Sequence, residues 1–140
     1  MTKSAFEQKL DKALGLETPA PRAYTEMYQR VEQAAGWLEN QLKGRGHSVK
    51  VVIEPGHLLN VGQQFNVVVL IPTLNNFRDV LFRAYIPAAG KPVTLDLTGD
   101  APVTCASPQV LERRILDFFA LDAIRGRLRA LRDLAAHKAG

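Results

Sequence analysis

The chain has 140 residues, enough for one domain with a real core, and its 46% apolar and 23% charged content is ordinary for a soluble globular chain. Net charge is +4, from 18 basic and 14 acidic residues, too mild by itself to imply nucleic acid. A single cysteine excludes an internal disulfide and a cysteine-rich metal site, and no apolar run approaches the ~20 residues that span a bilayer.

The N-terminus, MTKSAFEQKLDKAL, has no hydrophobic signal segment and reads as cytoplasmic. Ser4 and Glu7 have capping-box spacing, Phe6, Leu10 and Leu14 share one helical face, and Gly15 is a stop. Leu16 to Pro21 is a linker, because both of its prolines disfavour helix at the preceding residue. Residues 1–20 therefore read as a short helical arm with its linker, and residues 21–140 as one domain.

A long helix is expected from Arg22 to Lys43. Tyr24, Tyr28, Val31, Ala35, Leu38 and Leu42 form its buried stripe, widened by Met27 and Ala34. Trp37 falls outside that stripe, beside Arg30 and Gln41. Either Phe6 and Leu10 of the arm cover it, or it is a partner-binding anchor, a role in which aromatic residues are common.

Four strands follow. His47 to Glu54 alternates, with Val49, Val51 and Ile53 inward, and Pro55-Gly56 reads as a turn. His57 beside Glu54 is read as a solvent histidine rather than half of an acid-base pair. Phe65 to Ile71, Val80 to Ile86 and Val93 to Leu97 alternate likewise, joined by Thr73–Asn76 and Ala88–Lys91. Val68, Leu70, Leu81 and Tyr85 are apolar on the second face, so the sheet centre is either covered on both sides or meets a partner. The fold class is α+β: a four-stranded antiparallel meander flanked by an N-terminal helix and C-terminal helices.

After the turn Thr98–Pro102, Val103–Cys105 is a short strand or an extended loop. Ser107-Pro108 starts a helix that carries Val110, Leu111, Ile115, Phe118 and Phe119. It either breaks near Leu121-Asp122 or runs on, and Leu121, Ile124, Leu128, Leu131 and Ala135 form a last seam around Gly126. Arg125, Arg129 and Arg132 cluster on one flank, with Asp122 in reach of Arg125 and Asp133 in reach of Arg129. That is a salt-bridged face, so neither a nucleic acid nor a membrane is expected as partner. A lone cysteine is commonly a small buried hydrophobe. A position just before a helix N-terminus points instead to an accessible thiol of lowered pKa.

This order resembles the ubiquitin-conjugating fold: a helix, an antiparallel meander, a cysteine after the last strand, then helices, in two layers. The likeness runs from Arg22 to Phe119. Its most telling piece is Phe82 to Leu97, where Ile86-Pro87 ends a strand and Pro92 leads into the next. The His-Pro-Asn tripeptide of the family is missing, since no histidine lies between His57 and His137 and no asparagine follows Asn76. The chain thus resembles a divergent, bacterial-type branch. The resemblance implies that Cys105 takes a ubiquitin-like protein as a thioester from an activating enzyme and passes it to an amine. It implies no metal and no cofactor. Asp100, Thr104 or Ser107 would then stand near Cys105 in place of the missing amide. Arg22, Arg30 and Trp37 would meet the activating enzyme. The alternative is a non-catalytic protein-protein interaction module of the same fold, with Trp37 and the C-terminal seam as contact surfaces.

Overall fold

The computed structural model describes residues 4–14, 22–44, 48–59, 62–97 and 101–139, with backbone only at 10–14, 57, 59 and 137–139. The elements are α1 (Ala5–Leu14), α2 (Arg22–Lys43), β1 (Lys50–Leu59), β2 (Gly62–Ile71), β3 (Phe77–Pro87), β4 (Val93–Leu97), β5 (Val103–Cys105), α3 (Pro108–Ala120) and α4 (Asp122–Ala139). The architecture is α+β, with one antiparallel sheet in the order β1-β2-β3-β4-β5. Five strands form rather than four, because Val103–Cys105 pairs with β4.

β1 also runs further than its alternation suggested. Pro55-Gly56 does not turn the chain; β1 continues through a register irregularity to Leu59. Proline is tolerated there because β1 is an edge strand. Val51 N–H points out of the sheet and donates to Glu39 Oε1 of α2 at 2.8 Å. Ile53 and Pro55 follow on the same edge by the period of two. One outward donor is thus occupied and another is missing, which blunts the edge against a further strand.

α2, α3 and α4 cover one face. The α2 stripe arrives as expected: Met27, Val31, Ala35, Leu38 and Leu42 are buried, with Tyr24 and Tyr28 half-buried. They meet Val67, Val69, Ile71, Phe82, Ala84, Ile86 and Leu95 of the sheet. A bulge sets Val67 opposite Phe82 but Val68 opposite Val80. The extra residue, Leu81, lets two consecutive side chains, Leu81 and Phe82, enter the core. Phe82 packs edge-on against Phe118 and Phe119 of α3.

The chain breaks between α3 and α4 at Leu121, whose backbone is extended (φ −64°, ψ 136°) and whose side chain is exposed rather than part of the seam. Arg127 ties α4 to β3. Its Nε donates to Asp79 Oδ2 at 2.8 Å, its Nη2 to Asp79 Oδ1 and, at 3.0 Å, to the Val80 carbonyl.

The other face of the sheet carries none of these three helices. Val68 is buried at its centre, with half-buried Val52, Leu70 and Val80 around it. Beyond them lie the Glu54–Arg78 pair and Arg83, which donates to Asn66 Oδ1 at 3.2 Å. The second apolar face is therefore a small patch within a polar rim. Gly90 closes the turn between β3 and β4 at φ +92°, and a Cβ there would come within 2.2 Å of Tyr24 N at the start of α2.

Candidate docking groove between the helices

Two apolar residues fall off the stripes of their own helices and meet. Trp37 leaves the α2 stripe and stacks on Phe119 of α3, ring centroids 6.2 Å apart and 20° from parallel. Leu116 leaves the α3 stripe and stands 56% exposed beside it, while Trp37 is 51% exposed. Half the surface of a tryptophan left in water is a large apolar payload. Phe6 does not cover it, being itself 73% exposed.

These residues line an open groove of about 570 Å³ between α2, α3 and α4. Leu38, Leu42, Phe119 and Leu128 contribute apolar lining, and Arg125, Arg129 and Arg132 form the α4 side. A smaller hollow of about 240 Å³ continues it past Trp37 toward Arg30 and Glu112, which approach to 3.7 Å. α2 and α3 run side by side in the same direction, since Arg30 meets Glu112 and Trp37 meets Phe119.

The arginine flank is less neutralised than its spacing implied. Arg125 reaches Asp122 only at 4.0 Å, and Asp133 pairs with its neighbour Arg132 at 3.7 Å, not with Arg129. Arg129 has no carboxylate partner among the described residues. Exposed pairs of this length are weak, so the groove presents an apolar floor and a cationic wall.

Cys105 is elsewhere and differently placed than an accessible thiol. It pairs with Val93 in the sheet, is fully buried, and belongs to the core with Leu111 of α3. Burial pushes its thiol pKa up, and the Arg114 charge lowers it by less. The helix-start argument therefore loses to desolvation. Thr104 is exposed on the opposite face of β5 by the alternation of the strand, and so does not stand beside the sulfur. Ser107 caps α3: its Oγ accepts from Val110 N–H at 3.2 Å. Asp100 lies outside the described residues. Val110, on the first turn of α3, is 39% exposed.

Of the α2 residues, Arg30 and Trp37 line the smaller hollow together, while Arg22 lies at the helix start and pairs with Glu26 at 2.8 Å. Glu54 is engaged by Arg78 in a two-point pair at 2.9 and 3.0 Å, which holds its carboxyl below the usual range. His57 lies within β1, and its side chain is outside the described residues. Among the described residues no cluster of three His, Cys, Asp or Glu could hold a metal ion, and no helix is long and apolar enough to cross a membrane.

Comparison with protein-family models, with curated proteins and with solved structures returns no match to this chain.

Proposed function

We infer that this chain is a non-catalytic protein-interaction module on a ubiquitin-conjugating-like scaffold, and that its contact surface is the groove around Trp37. The observation that carries this is the pairing of two off-stripe apolar residues, Trp37 and Leu116, at one exposed site bordered by Arg125, Arg129 and Arg132. Aromatic and arginine side chains supply most of the binding energy in protein interfaces. The groove suits one face of an amphipathic helix that buries apolar residues against Trp37 and sets acidic residues toward α4.

The order of elements, from a long helix through an antiparallel meander to two helices, supports the scaffold reading. The thioester reading draws support from that order and from Cys105 ending β5 two residues before Ser107, the N-cap of α3. It draws none from the thiol itself. A nucleophile must reach its carbonyl and be partly ionised near neutral pH. Cys105 does neither in this conformation, and Ser107 is already engaged as a helix cap.

The test is partner capture by a photo-crosslinker placed at Leu116, in an extract of the source cells. Cys105→Ala should leave the crosslinked species unchanged, and Trp37→Ala should abolish it. A reductant-sensitive adduct on Cys105, formed with an activating enzyme, a ubiquitin-like protein and ATP, would overturn the non-catalytic reading.

A further inference from the structure

We propose that the groove takes a partner helix with two apolar anchors seven residues apart, which straddle Trp37, and with acidic residues beside one anchor only. This rests on the groove being the docking surface and adds what that surface selects. The cleft between α2 and α3 is two depressions in a row. Arg30, Gln33 and Ala34 of α2 line the smaller hollow alone, and Leu38, Gln41 and Leu42 line the larger groove alone. The second set is the first moved along α2 by eight residues, about 12 Å at 1.5 Å per residue. Trp37, Leu116 and Phe119 line both depressions, so they form the ridge between them. Trp37 and Leu116, each more than half exposed, are its crest.

The walls dictate the shape of the occupant. They are helices, and among the described residues no strand edge borders the cleft, so an extended segment finds no backbone ladder to join. A helix bonds its own backbone and needs none. On a helix, residue i+7 lies about 10.5 Å along from residue i and about 20° round from it, whereas i+4 reaches only about 6 Å and i+8 turns about 80° away. Seven is therefore the spacing that fills both depressions from one face. Positions i+3 and i+4 then lie over the crest of Trp37 and Leu116 and must be small. Charge decides where the acidic residues go. The charged residues lining the groove are Arg125, Arg129 and Arg132, with no carboxylate among the described lining. The hollow holds Arg30 and Glu112, 3.7 Å apart, which offset each other. Acidic residues beside the groove anchor meet an arginine wall, and beside the hollow anchor they meet a neutral pair.

The experiment uses the full chain and synthetic helices without tryptophan, labelled for anisotropy and unlabelled for emission. Trp37 is the only tryptophan of the chain, so its emission reports on the ridge. The reference peptide carries leucines at i and i+7, alanines at i+3 and i+4, and glutamates beside one leucine. It should bind with a blue shift of Trp37 emission. Moving one leucine to give a spacing of four should weaken binding about tenfold, the loss of one buried anchor. Leucines in place of the two alanines should weaken it as much. Arg129→Glu, an exposed change, should weaken the glutamate peptide about threefold or more and tighten its lysine counterpart. Glu112→Gln, at the hollow, should change the affinity by less than about twofold, because screening mutes a charge about 10 Å away. Equal binding by the four-spaced helix, equal binding by a peptide with a central proline, a larger response to Glu112→Gln than to Arg129→Glu, or no shift of Trp37 emission would each overturn the proposal. Trp37-dependent crosslinking at Leu116 would then leave the groove reading standing, and its loss would remove both. A blue shift that grows with protein concentration in the absence of peptide would also overturn the proposal, because the occupant would be a second copy.

Discussion

Replacing Arg127 by methionine should loosen the α4 side of the groove. Arg127 makes two hydrogen bonds to Asp79 and one to the Val80 carbonyl, across the junction of α4 and β3. Methionine keeps much of the stem and deletes all three. Hydrogen bonds to a charged group contribute about 1.5–3 kcal/mol to net stability, and Asp79 would be left without its partner. The side chain of Asp79 is 21% exposed, so water recovers part of the loss. A cost of about 2 kcal/mol follows. In urea, with a slope of about 2 kcal/mol per molar for a chain of this size, the midpoint should fall by about 1 M. The assay is equilibrium unfolding followed by Trp37 emission, with circular dichroism as a second probe. Adding Asp79→Leu should return most of the loss, because an apolar pair needs no partner charge. A midpoint shift below about 0.3 M, or a double variant as unstable as the single one, would refute the idea that this ion pair holds α4.

Trp37→Ala should keep the fold and cost no more than about 1.5 kcal/mol, because only its stacking on Phe119 is lost to the interior; unfolding of this variant at room temperature would place Trp37 in the core. The buried Cys105 thiol should react with a disulfide reagent far more slowly in the native chain than in urea, and equal rates would show it to be accessible. Because burial raises its folded pKa, its contribution to stability is complete below the ordinary thiol value of about 8.5 and is lost as pH rises through the raised one. Cys105→Ala should therefore flatten the alkaline decline of stability measured by urea titration at several pH values, and an unchanged decline would assign it to Tyr24 and Tyr28, whose pKa values burial also raises. Glu39→Ala should cost about 1 kcal/mol and, by exposing Val51 N–H at the β1 edge, promote self-association in sedimentation velocity; a variant as monomeric as the wild type would argue against edge protection.

The regular elements were legible because their periods were clean. The α2 stripe at Met27, Val31, Ala35, Leu38 and Leu42 is the buried set, and the alternation of β2 to β4 sets the face turned to the helices. Pro55-Gly56 misled because local turn chemistry does not know that β1 lies at the sheet edge, where a missing N–H costs nothing. Of the two readings of Cys105, small buried hydrophobe or accessible thiol, the structure bears out the first, and local sequence could not decide between them. Proximity to a helix start is a local feature, whereas burial depends on β5 pairing with β4 and on α3 packing against β5. Part of the groove was written in the sequence as two exceptions. Trp37 is an apolar residue off the stripe of α2. Leu116 was the same signal on α3, but only packing reveals that the two exceptions share one place.

Gly90 has a consequence for α2. Its turn is seated against Ala23 and Tyr24 so closely that no side chain fits between them. The first turn of α2 is therefore clamped to the end of the sheet. Trp37 is anchored further down the same helix. The turn at one end of the sheet and the aromatic side chain in the groove are thus joined by one rigid rod, so a side chain added at Gly90 would lever α2 at its start and be felt at Trp37, far from the substitution.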